Sequence, residues 1–271
     1  MLGKLIKYDL LADWKHYMVI YASTLLLSVM TYFLERDMTA VQNNIFLLIA
    51  DHIVSAMLVF TAFATVVMVF VLAVTRFYKN IVRDEGYLMH TLPVHTWQLI
   101  ASKLITVYVW FAAALAVICV STGILMGDPF WLFNIFDEYR EAVNGLGERA
   151  ADIVYEVNTF LGYFVGSVAL MPFFFMSHIY FSLALGNLSN GHKLGIAVVM
   201  FFAINIAEQF IVTIIMAVCA SELITMESVP DSTMLEFMDN SMTASMIVAI
   251  VLSVGMIIAA ERIFAKKLNL E

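Results

Sequence analysis

Apolar residues fall in six long blocks along this chain, 17–34, 53–75, 104–127, 159–185, 194–220 and 241–260, with short polar stretches between them. Five of these blocks contain no Asp, Glu, Lys or Arg, and the fifth in order contains one acid, Glu208. A helix needs roughly 20 apolar residues to cross the hydrocarbon core of a bilayer, which each block approaches or exceeds. The blocks are continuous rather than alternating, which excludes the strands of a membrane barrel. The pattern therefore predicts an all-α polytopic membrane protein, with six transmembrane helices in a single domain covering 1–271.

Composition points the same way. Hydrophobic residues make up 62% of the chain and charged ones 13%, with a mean hydropathy of +0.91. A water-soluble domain cannot hide that much apolar surface. Of the 14 Lys and Arg residues, only Arg36, Arg140 and Arg149 fall on one side of the predicted spans. The remainder lie on the other side, and by the positive-inside rule both termini are cytoplasmic. The net charge of −8 then belongs mainly to the outer loops, around 128–158 and 221–240. An acidic outer face suits cationic solutes, although solvated acidic loops are the plainer reading. Cys119 and Cys219 sit inside apolar blocks and read as small core residues rather than a disulfide. The first block has no small-residue cleavage site at its end and reads as an uncleaved span.

The polar stretches differ in character. In 2–16, Leu2, Leu5, Ile6, Leu10 and Leu11 fall near helical spacing, with Lys4, Lys7, Asp9 and Asp13 elsewhere. This predicts an amphipathic helix in the inner interface, with Trp14 at headgroup depth. Lys103 opens the third span and is expected to reach up to the headgroups. The second outer loop, 128–158, holds two acidic amphipathic segments, 137–141 and 148–156. They either cap a pathway or lie solvated above the membrane. The third, 221–240, includes Met234–Met238, which suggests a short helix dipping back into the outer leaflet. Between spans four and five only 186–193 intervene, so those two helices must form a hairpin.

Chemistry inside the membrane is sparse. Glu208 is the single acid deep in a span, and Asn205 lies three residues away on the same face. His178 and Pro172 interrupt the fourth span. These three polar residues, Glu208, Asn205 and His178, are candidates for a substrate or proton pathway, with packing as the plainer role. The chain has no phosphate-binding Gly-x4-Gly-Lys-Ser/Thr loop and no His-Glu-x-x-His motif. His90 and His95 alone make a poor metal site. No intramembrane carboxylate pair suggests proteolysis, so the chain is not read as an enzyme.

The segment between spans two and three, 76–93, is larger than a turn requires. Basic residues open it, Asp84 and Glu85 follow, then Gly86 and an aromatic-apolar patch that Pro93 ends. Arg83-Asp84-Glu85-Gly86-Tyr87-Leu88, Leu92-Pro93-Val94, Leu99-Ile100 and Ser102-Lys103-Leu104 resemble the signature of type-2 ATP-binding-cassette exporter permeases. Met1–Tyr8 and Arg76–Asn80 resemble such permeases from Firmicutes. Asp9 and Asp13 depart from the more basic start of that family, and His90 interrupts the apolar patch.

The resemblance implies a membrane subunit of the bacterial cytoplasmic membrane that pairs with a second permease, identical or paralogous. It implies a separate ABC ATPase subunit that binds ATP and Mg, with no cofactor on this chain and no nucleic-acid partner. Asp84, Glu85, Gly86, Tyr87, Leu88, Met89, Leu92 and Pro93 would form a cytoplasmic coupling helix seated on that ATPase. A re-entrant hairpin would lie between spans five and six. Antimicrobial peptides, lipids and drugs fit the family's range, a peptide or lipid-like solute best. The alternative is a non-transporting sensor or immunity protein that binds a peptide or a partner permease.

Overall fold

Helices form here because a backbone in hydrocarbon must satisfy its own hydrogen bonds, and a continuous apolar run has only the helix with which to do so. The computed structural model describes residues 2–36, 44–82, 95–128, 130–145, 150–189, 191–221 and 231–266. They form α1 (Leu2–Arg36), α2 (Ile45–Phe77) with a π-helical turn (Tyr78–Val82), α3 (Thr96–Met126), α4 (Trp131–Gly145), α5 (Ala150–Gly186), α6 (Lys193–Cys219) and α7 (Asp231–Lys266). All but α4 are long and apolar enough to cross a membrane, as the six apolar blocks predict. No strand occurs among the described residues. Large apolar side chains lie open on these helices, Val19 at 72% exposure and Phe60 at 71% among them, as lipid-facing surface requires.

The helices overrun their apolar blocks. Residues 2–16 do not form a separate helix but continue into the first span, and α1 is 35 residues long. No Gly or Pro occurs between Lys4 and Arg36 to end it. At 1.5 Å per residue it is about 52 Å long, well beyond a hydrocarbon core of about 30 Å. Likewise, the acidic segment expected as a second helix in the 128–158 loop is the start of α5 from Ala150. Met234–Met238, expected as a dipping helix of its own, is the first part of α7. Of the 128–158 loop, only α4 stands as a separate helix.

The described chain packs as two compact units. The first holds α1, α2 as far as Arg76, α3 from Ala101, and α4. Its core mixes apolar side chains such as Leu58, Val69 and Phe111 with a polar stripe. On α1, Asp9, Tyr17, Tyr21, Thr24, Ser28 and Thr31 are buried at spacings of three, four or eight residues, so they form one stripe. Thr24 Oγ1 meets Thr65 Oγ1 of α2 at 2.9 Å, and both residues are fully buried. Tyr17 stacks on Trp110 of α3 at 4.2 Å, and the Tyr21 hydroxyl donates to the Trp110 carbonyl at 2.8 Å. Close contact and hydrogen bonds of this kind hold helices together where lipid removes the usual hydrophobic drive.

The α3–α4 corner is built from backbone. Gly127, at a φ of +66°, lets its N–H reach Ile124 O while Asp128 N reaches Gly123 O. That glycine-dependent closure satisfies the last carbonyls of α3. The Asp128 carboxylate then accepts from Phe130 N at 2.9 Å, and the Trp131 indole donates to Cys119 O at 3.0 Å.

The second unit holds α5, α6 and α7 with the described parts of 77–100. Phe77 stacks on Tyr180 at 3.8 Å and takes the edge of Phe264. The expected α5–α6 hairpin is present, and Gly186 sets its tightness. A Cβ there would lie 2.5 Å from Lys193 O and 2.7 Å from the Ala197 Cβ. Gly186→Ala is expected to lower stability by about 1–3 kcal/mol through overpacking. Gly191→Ala, where nothing lies within 4 Å, is expected to change it by less than about 0.5 kcal/mol. Reversible unfolding of both variants in micelles checks the contrast.

Candidate functional site

Two groups of ionisable side chains are enclosed by the helices, one in each unit. In the first, Asp9 of α1 is the centre. Lys103 Nζ lies 2.5 Å from Asp9 Oδ1, and Arg76 Nη2 lies 3.3 Å from the same oxygen. Arg76 Nη1 donates to the Asp9 carbonyl at 2.8 Å and to Asp13 Oδ2 at 2.6 Å. Ser102 Oγ stands 3.5 Å from Asp9 Oδ2. Two carboxylates thus face two cations, and the formal charge of the group sums to zero.

This arrangement overturns one expectation and explains another. Lys103 does not reach out to the headgroups. It is 5% exposed, because a carboxylate within the protein offers a nearer partner. Asp9 and Asp13, the acidic departures near the N-terminus, are the counter-charges of Arg76 and Lys103. The sequence held a signal for this: Asp9, Asp13, Tyr17, Tyr21, Thr24, Ser28 and Thr31 run at helical spacing, a polar stripe on an otherwise apolar helix.

The second group joins α5 to α6. His178 Nε2 meets Glu208 Oε2 at 2.5 Å, and His178 Nδ1 meets the Phe174 carbonyl at 2.7 Å. A carbonyl only accepts, so Nδ1 carries a hydrogen. One further proton then lies between Nε2 and Oε2. The pair is neutral overall whether it is imidazolium with carboxylate or imidazole with carboxylic acid. That neutrality is what makes an acid tolerable in a membrane span.

Of the sequence candidates, His178 and Glu208 are therefore brought together. Asn205 is not part of the pair: it is exposed, and its amide donates to Phe201 O of its own helix at 2.7 Å. Asp84, Glu85, Gly86, Tyr87, Leu88, Met89, Leu92 and Pro93 lie outside the described residues. Cys119 and Cys219 are free thiols. Among the described residues no three His, Cys, Asp or Glu side chains are grouped to hold a metal.

Comparison of the chain with protein-family models, with curated proteins and with solved structures finds no match in any of the three. The class rests on the fold: an all-helical protein with six helices able to cross a membrane.

Two measurements probe these groups. Asp9→Ala leaves Lys103 enclosed without its carboxylate and is expected to cost about 3–5 kcal/mol. Asp9→Leu combined with Lys103→Met removes both charges, leaves Arg76 with Asp13, and is expected to recover most of that loss. A double-mutant cycle by reversible unfolding reads the coupling, and additive losses would contradict the pairing. At the second group, Glu208→Gln can still donate to a neutral His178 and is expected to stay within about 1 kcal/mol of the parent. Glu208→Leu leaves the ring nitrogen unmatched and is expected to lose about 1–3 kcal/mol.

Proposed function

We propose that this chain is the membrane-spanning permease subunit of an ATP-driven exporter of the type-2 ATP-binding-cassette class. It works beside a second permease, identical or paralogous, in the bacterial cytoplasmic membrane, with both termini in the cytoplasm. ATP and Mg bind a separate ATPase subunit, and Asp84–Pro93 forms the coupling helix that meets it. The solute is a peptide, a lipid-like molecule or a drug-like one.

The observation that carries this reading is the convergence of Arg76 and Lys103 on Asp9. These two residues flank the segment that bears the permease-like motif. Both of its ends are therefore fixed to α1 by enclosed, charge-assisted bonds, which are stronger than neutral ones. In this reading a partner that moves the segment acts on helices already bonded to one another through Arg76, Lys103 and Asp9. Such a shift of helices is how a closing ATPase would change the accessibility of a pathway. The start of α1 supports an interfacial position, since Tyr8, Leu11 and Trp14 are exposed while Asp9 is buried. Aromatic residues favour headgroup depth.

Co-expression with a candidate ATPase subunit tests the proposal. Tyr87→Ala with Leu88→Ala is expected to weaken co-purification by about 30-fold, the effect of losing about 2 kcal/mol of anchor contact. Solute-stimulated hydrolysis in proteoliposomes is expected to fall with it, while insertion is unchanged. Normal assembly and coupling in that variant would remove the coupling role. For orientation, Asn144→Cys in a background lacking Cys119 and Cys219 is expected to react with an impermeant maleimide in intact cells. Gly191→Cys is expected to react only after lysis, and the reverse result would invert the topology.

A further inference from the structure

Beyond its two charged groups the molecule has a third feature, a cavity of about 440 Å³ between α5, α6 and α7 that opens to the surface of the second unit, with Phe160 and Phe164 on its exposed side. Phe160, Phe164 and Phe174 of α5, Val212 of α6, and Met242 and Met246 of α7 give it apolar walls. Its volume falls in the range, about 300–1,000 Å³, of pockets that take one drug-sized molecule. The unbranched Met side chains let such walls adapt to more than one shape. Phe174 and Val212 each stand one helical turn from the His178–Glu208 pair, so the apolar space ends just short of it.

The opposite end, away from the 186–193 turn, is polar, and Asp239 stands beside it through Tyr163. Tyr163 lines the cavity, and its hydroxyl lies 2.7 Å from Asp239 Oδ1 and 2.5 Å from Thr243 Oγ1. A carboxylate only accepts, so Tyr163 donates to Asp239 and Thr243 donates to Tyr163. Tyr163 takes one of the carboxylate's roughly four acceptor positions. Among the described residues Asp239 has no Lys, Arg or His ion-pair partner. Among the described side chains of 157–164, 212–221 and 237–246, the parts of the three helices at this end, Asp239 is the one charged group.

We propose that this cavity binds a single-chain amphiphile with an ammonium head, its apolar body between α5, α6 and α7 and its cation on Asp239. An ammonium brings the donors and the charge that Asp239 lacks. An anionic head would meet like charge, and an uncharged one would forgo the attraction. A single-chain body suits the volume better than a two-chain phospholipid does. That this ligand is also the transported solute rests on the exporter reading; its binding does not, and is measured without ATPase or ATP.

The test uses the full chain in nanodiscs of phosphatidylcholine, with photoreactive alkyl probes of equal length ending in an ammonium, an alcohol or a sulfonate. The ammonium probe is expected to label α5 and α7 peptides at least tenfold more than the other two. Asp239→Asn, which keeps the shape and can still accept from Tyr163, is expected to bring the ammonium probe down to the alcohol's level. Ala249→Phe, which fills the cavity, is expected to reduce all three. Equal labelling by the three probes, labelling mapped elsewhere, or an Asp239→Asn variant that labels like the parent would overturn the site. Competition by phosphatidylethanolamine as effective as by the unlabelled single-chain amine would overturn the single-chain assignment. Monodispersity and unfolding temperature of both variants serve as the folding controls.

Discussion

A carboxylate enclosed at the end of the first helix governs the first unit. Asp9 would be costly to bury alone, as would Lys103, and each makes the other tolerable. The same oxygen serves Arg76, and Asp13 completes the balance. Because those four residues come from α1, α2 and α3, the three helices are held in register by charge at one end. Farther along, they are held by Tyr17 on Trp110 and by the Thr24–Thr65 contact. The apolar residues of α1 are left for the lipid, the reverse of a soluble helix.

The second unit handles polarity by a different route. His178 and Glu208 share a proton instead of relying on a permanent cation, so their pair carries no net charge. The tyrosine at the other end of the cavity donates to Asp239 and accepts from Thr243. Both devices leave an acid able to interact, one between helices and one at the rim of an apolar space. Some serine hydroxyls return to carbonyls of their own helix, as at Ser177 and Ser182, and so need no partner across the gap.

How far the sequence could be read follows the physics of each feature. Six spans were legible because uninterrupted apolar runs have a single solution in lipid. Helix ends were not, since a polar segment stays helical unless Gly or Pro stops it, as 2–16, 150–156 and 231–240 demonstrate. Glu208 stood out by rarity in its block. Its pairing with His178 depends on how two helices cross, which local spacing does not encode. The Asp9 group was missed for a related reason: its carboxylates and its cations are 63 to 94 positions apart. Reading α1 by its apolar positions alone also hid the polar stripe that would have flagged it.

Helix α6 differs from the others in how little of it the chain encloses. Ala197, beside Gly186 in the hairpin turn, is its one buried residue. Over evolutionary time such a helix is free to exchange one apolar side chain for another along most of its length. Hydropathy and helix propensity are the main constraints on its exposed positions, such as Val199, Ile206 and Phe210. Fixed points remain where α6 touches something specific: Ala197 in the turn, Phe201 against Phe175, Glu208 opposite His178 and Val212 in the cavity wall. Drift of this kind gives the chain a surface that can be retuned for a new lipid environment or a new partner without disturbing the packing of α5 against α7.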